Sequence, residues 1–195
     1  MSQGPIVGRE FYLRDTAMVA VDLLGKLIVR LIGGVRVSCM IVETEAYYGP
    51  EDPASRARRG GELAKVMASD VGRALIFMVH GNWLFNVVAH EEDGIGAILI
   101  RSCQPVEGVE VMIKNRGVSD VRKLTNGPGK LAKALSIDKR FHGKELYTTR
   151  QGLWIEYYVN VPKSRVACSH RIGVAEDLPM KLRFYISNNR YVSLR

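Results

Sequence analysis

Two carboxylates, Glu43 and Glu45, stand two residues apart at the end of an apolar run from Val35 to Glu45, and Tyr47-Tyr48-Gly49-Pro50 follows directly. In an extended strand, residues two apart point to the same side. Both acids are therefore expected on one face, with an aromatic ring beside them. A carboxylate so placed can hold a water molecule next to a bound flat ligand. Partial burial would raise its pKa toward the range a general base needs. The plain alternative is a pair of solvated acids on an exposed strand end.

A second constellation is Phe77 with His80-Gly81-Asn82-Trp83, flat side chains at the end of a strand and in the tight turn after it. A side chain protruding from a turn can wedge between stacked bases, and a ring on the strand can cover a base drawn out of the helix. The alternative is a hairpin whose rings belong to the core. A third is Leu124-Thr125-Asn126-Gly127-Pro128-Gly129-Lys130-Leu131. Glycine-rich backbone opening onto a helix presents free N–H groups to phosphate, and Lys130 adds charge. Many ordinary helix starts look the same.

Metal chemistry finds no support. Cys39, Cys103 and Cys168 are far apart and odd in number, and His80, His90, His142 and His170 do not cluster. Cys168 and His170 would share one face of a strand, but no further ligand lies near at a metal-site spacing. There is no P-loop and no Gly-x-Gly-x-x-Gly after a strand.

The elements that must position these residues are mostly strands. Asp15 can cap a helix over Thr16 to Leu24, with Met18, Val21 and Leu24 on one face. Strands are expected over Lys26 to Ile32 and, after a Gly33-Gly34 turn, Val35 to about Glu45. Further strands are expected over Ala74 to Val79, Trp83 to Ala89, Ala97 to Arg101, Trp154 to Val159, Val166 to Val174 and Leu182 to Ile186. Helices are expected over Val106 to Arg116 and Lys130 to Leu135. Arg56, Arg58 and Arg59 crowd a short basic segment before Gly60-Gly61. This order implies an α+β fold, one domain over residues 1–195 around a curved, mainly antiparallel sheet with flanking helices.

The chain has 195 residues, 47% of them hydrophobic, enough for one domain with a core and too many for a disordered chain. Its 28 Lys and Arg outnumber 20 Asp and Glu, for a formal charge of +8. Such a surface attracts polyanions, nucleic acid among them, or serves only solubility. No apolar run is long enough to span a bilayer, and Met1 to Tyr12 carries no apolar leader, so an intracellular protein is expected.

Taken together, the sequence resembles the alkyladenine (3-methyladenine) DNA glycosylase family. The resemblance rests on five blocks in order: Ile41-Val42-Glu43-Thr44-Glu45-Ala46-Tyr47 with Gly49-Pro50-Glu51-Asp52-Pro53-Ala54; Ala97-Ile98-Leu99-Ile100-Arg101 leading to Gln104-Pro105-Val106-Glu107-Gly108; Asn126-Gly127-Pro128-Gly129-Lys130-Leu131 with Ala134-Leu135-Ser136-Ile137-Asp138; Arg171-Ile172-Gly173-Val174; and Leu182-Arg183-Phe184-Tyr185-Ile186. It implies a monomeric, monofunctional base-excision enzyme with no metal and no organic cofactor, acting on double-stranded DNA that contains damaged purines. By this resemblance Glu45 deprotonates the attacking water and Arg101 helps to hold it. Tyr47 stacks on the flipped base, Phe77 is a second pocket aromatic, and Asn86 screens against the guanine amino group. His80 stands at the wedge position, Arg56 at a pocket position, and Lys130 near the DNA backbone.

The sequence departs from the family's pattern where the pocket is lined. Arg56 replaces a histidine, Phe77 a tyrosine and His80 a tyrosine wedge. Glu62-Leu63-Ala64-Lys65 replaces a stretch like Arg-Thr-Pro-Arg-Asn. An arginine beside a cationic alkylated base is unfavourable unless it turns toward a phosphate. A preference shifted toward neutral lesions such as hypoxanthine is therefore expected. Three other readings stay open on sequence: a lesion-binding protein without catalysis, a nucleoside or RNA N-glycosidase, and a basic structural protein.

Overall fold

A computed structural model of the protein describes residues 4–193; the first three residues of the Met1 to Tyr12 segment read above lie outside them. Helix α1 (Thr16–Asp22) begins where Asp15 accepts a hydrogen bond from the Met18 N–H at 2.9 Å. The helix stops at Asp22, short of the expected Leu24; its buried residues are Thr16, Val19 and Ala20, and of the expected face Leu24 is buried in the core, Val21 is half-buried and Met18 is exposed. Small residues let the helix approach the sheet closely, and the Thr44 hydroxyl donates to the Ala20 carbonyl at 2.9 Å.

Strands β1 (Leu27–Ile32) and β2 (Val35–Tyr47) form the expected hairpin. Gly33 and Gly34 both take positive φ, 57° and 82°, which a tight turn joining twisted strands demands. Strands β3 (Ala74–Val79) and β4 (Asn82–Val88) form a second hairpin, and β5 (Ala97–Glu107) follows. The last strands are β6 (Leu153–Glu156), β7 (Val166–Ser169) and β8 (Arg183–Ile186). Helices α2 (Gly61–Met67), α3 (Val109–Arg116) and α4 (Pro128–Ala134) complete the set.

All strands pair antiparallel in the order β3-β4-β5-β2-β1-β6, with β8 joined to β2 and β7 to β8. The α+β expectation is met. β2 is the central strand. One edge pairs with β5, and the other with β1 near its start and β8 at Glu43–Glu45. Register shifts at Ile41/Glu43 and Glu43/Thr44 bulge β2, and such irregularities bend a strand. The principal core runs through the chain from Val7 to Val192. A smaller cluster of Ala57, Met67, Leu75, Val88 and Ala97 seats α2 and the 3-10 turn Arg56–Arg59 against the sheet.

Several boundaries differ from the sequence reading. β5 runs on to Glu107, and α3 begins only at Val109, after Gly108 turns the chain. β7 ends at Ser169, so His170 does not share a strand face with Cys168. β6 stops at Glu156. α2 was not anticipated at all. It begins on the second glycine of the pair 60–61, and its tie to the fold comes from the smaller cluster rather than from strong helix signals.

Candidate active site

A cleft of about 930 Å³ opens where the β3–β4 hairpin, β5, the start of α4 and the loop after β7 converge. Tyr47, Phe77, Asn86 and Arg101 line it, with Arg56, His80 and Lys130 also on its wall. The sequence-nominated residues other than Glu45 are thus gathered around one cavity. Glu45 lies directly behind that wall. Its partners Tyr47, Ile172 and Arg101 line the cleft, but the carboxylate itself is fully buried.

The tertiary fold explains that burial. Glu43 and Glu45 are not at a free strand end, because β5 flanks them on one side and β8 on the other. Both acids meet the same guanidinium, as their shared strand face requires. Arg101 Nε donates to Glu43 Oε1 at 3.1 Å, and Arg101 Nη1 lies 3.3 Å from Glu45 Oε1. Glu43 also accepts from Arg183 Nε at 2.8 Å and from the Ser193 N–H at 2.7 Å. Charges removed from water need such partners.

Glu45 accepts two further hydrogen bonds, from the Ile172 N–H on Oε1 at 2.8 Å and from the Tyr47 hydroxyl on Oε2 at 2.7 Å. Burial raises the Glu45 pKa above its ordinary value, and Arg101, the Ile172 N–H and the Tyr47 hydroxyl only partly offset this. The Tyr47 pKa is raised as well, by burial first and then by the Glu45 charge, so its phenol remains a donor.

The walls carry flat groups and positive charge. The Arg56 guanidinium stands over the Phe77 ring, 5.1 Å from its centroid. Asn86 is buried, and its Nδ2 donates to the Leu75 carbonyl at 3.0 Å, which fixes the orientation of the amide. His80 is exposed at the hairpin tip with φ 47°, a conformation uncommon outside glycine that thrusts the turn outward. Lys130 is exposed on α4, its Nζ 3.1 Å from Asn126 Oδ1. α4 abuts the hairpin at Gly129, where a Cβ would lie 2.8 Å from the Asn82 Cβ.

Other residues of the site were not singled out from sequence. Arg171, fully buried, pairs with Asp52 at 2.6 and 2.8 Å and with Asp177 at 2.6 Å, and its guanidinium lies 4.5 Å from the Tyr47 ring centroid. Burial opposes its charge, but the bonds to Asp52 and Asp177 outweigh this and raise its pKa. Arg183 and Ser193 were missed as partners of Glu43. The available signal was a buried Arg or Asp inside an otherwise apolar block, but its partner is distant in sequence. Among the described residues no three His, Cys, Asp or Glu gather as a metal site, and no helix is long and apolar enough to cross a membrane. Cys39 and Cys103 are buried and Cys168 is exposed, all as free thiols.

Known proteins resemble this chain along nearly its whole length. The family model of methylpurine-DNA glycosylase matches residues 10–190. A protein of Aeropyrum pernix is 44% identical over 192 residues, covering 97% of this chain and 94% of its own. One of Desulfitobacterium hafniense is 40% identical over 205 residues, covering 97% and 98%. Both carry the description "Putative 3-methyladenine DNA glycosylase". With the match spanning the strands that hold Glu45 and Arg101 and the loop that holds Arg171, the chain belongs to the methylpurine-DNA glycosylase family.

Proposed function

We propose that the protein is a DNA glycosylase that draws an alkylated or deaminated purine out of duplex DNA into the cleft and hydrolyses its N-glycosidic bond. Glu45 accepts a proton from water as the water oxygen bonds to C1′. The bond from C1′ to the purine nitrogen breaks and its electron pair leaves with the base: a cationic alkylated purine departs neutral, and a neutral deaminated purine departs as an anion that takes up a proton, balancing the one lost by the water. The products are an abasic deoxyribose and the free purine. The developing positive charge on the sugar is stabilised by the nearby carboxylate. Arg101 fixes Glu45 and faces the water's position in the cleft. Tyr47 and Phe77 offer ring faces to a flat base, Asn86 limits which purine edge fits, and His80 fills the gap left in the duplex. Lys130 draws the DNA backbone toward the cleft, while Arg56, over the Phe77 ring, disfavours a base that carries positive charge. The reaction needs no metal or cofactor, and one chain supplies every group.

The observation that carries this reading is the placement of Glu45: a buried carboxylate of raised pKa, one side chain behind a cleft lined by Tyr47 and Arg101. The description of the relatives names 3-methyladenine, which puts alkylated purines first among the substrates to try. One observation favours a second reading, lesion binding without cleavage. Each Glu45 oxygen already accepts a hydrogen bond, and no face of the carboxylate reaches the cleft.

One experiment separates the two. Single-turnover base release is measured from duplexes carrying hypoxanthine or 1,N6-ethenoadenine and from methylated duplex DNA, with wild type and Glu45→Gln side by side. Release by wild type but not by the variant supports the hydrolase. Lesion binding without release by either protein supports the second reading.

A further inference from the structure

The hydrogen bonds to Glu45 come from parts of the chain far apart in sequence. The Ile172 N–H belongs to the loop between β7 and β8, 127 positions from Glu45, and the Tyr47 hydroxyl belongs to the end of β2. Arg171 touches both. It is the residue before Ile172, so clamping its side chain locates that N–H. Its guanidinium also lies against the Tyr47 ring, and its Nη1 donates to the Ala46 carbonyl at 3.0 Å. The clamp has two jaws. Asp52 grips Arg171 from the loop after β2 while accepting the Tyr48 and Ala54 N–H groups at 3.0 Å each. Asp177 grips it from its own loop, accepting from Arg171 Nε at 2.8 Å and from the Arg171 N–H at 3.0 Å.

We propose that Arg171 is a positioning residue for Glu45: clamped between Asp52 and Asp177, it holds the Ile172 N–H and the Tyr47 hydroxyl on the two oxygens of that carboxylate. This deepens the glycosylase reading and rests on Glu45 being its base. Hydrogen bonds to the charged form of an acid favour that form. The clamp therefore keeps Glu45 ionised, and able to accept a proton, at a pH where burial alone would leave it protonated. The Arg171 side chain is fully buried and does not line the cleft.

The charged and titratable groups around Glu45 are few. β2 supplies Glu43 and Tyr47, β5 supplies Arg101, and β8 supplies Arg183. The β7–β8 loop supplies Arg171, Asp177 and His170, whose Nδ1 is 3.5 Å from Asp177, together with the exposed Glu176 on the cleft wall. Asp52 stands behind Arg171. Because several of these carry charge, the test uses substitutions that conserve it.

Single-turnover release of hypoxanthine from duplex DNA is followed from about pH 5 to 9 for wild type, Arg171→Lys and Asp177→Glu, with folding checked by thermal unfolding. Lysine keeps the charge but cannot make the forked, stacked contact of arginine. The acid limb of the rate profile is expected to move up by about one pH unit in Arg171→Lys and by a smaller amount in Asp177→Glu. A structural role alone lowers the rate and leaves the midpoint where it is, and that result overturns the proposal. If Arg171→Lys does not fold, Asp177→Glu decides by the same criterion. Absence of wild-type base release from hypoxanthine, 1,N6-ethenoadenine and methylated duplexes alike overturns the glycosylase reading and this proposal with it; release from another of these lesions but not from hypoxanthine moves the same pH series to that lesion. Release with an unmoved acid limb overturns this proposal alone.

Discussion

The Tyr47 hydroxyl donates to Oε2 of Glu45 over 2.7 Å, so the ring that lines the cleft is bonded to the carboxylate behind it. The direction of the Glu45 shift makes this testable. Burial raises its pKa above the ordinary 4.5, and the base form exists only above the raised value. Base release is expected to climb with pH through a midpoint above 4.5. Tyr47→Phe keeps the ring but removes a donor that favours the charged form. Its midpoint is expected to lie higher still, with slower release at pH 6. A wild-type midpoint at or below 4.5, or a downward shift in Tyr47→Phe, contradicts this account.

Burial of Glu45 also bears on stability. A folded pKa above the unfolded one stabilises the chain fully below the unfolded pKa, and that contribution is lost as pH rises through the folded value. Once ionised, Glu45 is therefore a cost to folding. Glu45→Gln is expected to lose base release by about 100- to 10,000-fold while its thermal midpoint at pH 7 equals or exceeds that of wild type. A midpoint several degrees lower would mean that the pairing with Arg101 outweighs burial.

Arg56 sits over Phe77 in the cleft wall, where a cationic base would meet a like charge. Two like charges about 6 Å apart repel by roughly 3 kcal/mol at an effective dielectric near 20, and partial exposure weakens this. Arg56→Gln is expected to raise release of 3-methyladenine relative to hypoxanthine by about tenfold, whereas Arg56→Lys leaves the ratio close to that of wild type. An equal fall on both substrates in Arg56→Gln, with a smaller salt dependence, would assign Arg56 to a phosphate instead.

α4 packs against the hairpin that carries His80. His80→Ala is expected to weaken retention of lesion duplexes about tenfold, with little change on single-stranded lesions, because only a duplex leaves a gap to fill. Gly129→Ala places a methyl group 2.8 Å from the Asn82 Cβ and so pushes the same hairpin aside. It is expected to reproduce the His80→Ala defect while leaving His80 in place. Unchanged duplex binding in both variants would remove the wedge from the mechanism.

Much of the scaffold was legible because it is local. The glycine pair 33–34, the apolar run of β3 and the capping Asp15 each announce structure through a few neighbouring residues. Met18 of α1 is exposed against expectation because apolar spacing is ambiguous in a two-turn helix. Val19 and Ala20 fit against the sheet more closely than Met18 can. α2 was missed because it depends on packing under Leu75 and Val88.

The sequence by itself determined which groups are available: two acids on one strand face, rings at Tyr47 and Phe77, a turn at His80, and a basic chain. It did not determine whether the Glu45 carboxylate is solvated or buried. That was decided by β8 and the β7–β8 loop, which bring Arg183 beside Glu43 and the Ile172 N–H onto Glu45 from more than a hundred residues away. The physical reason is that periodicity records which side of an element is apolar, whereas the pKa of a carboxylate depends on what closes over it. Only the folded chain brings Arg101, Tyr47 and the Arg171 clamp around that one side chain.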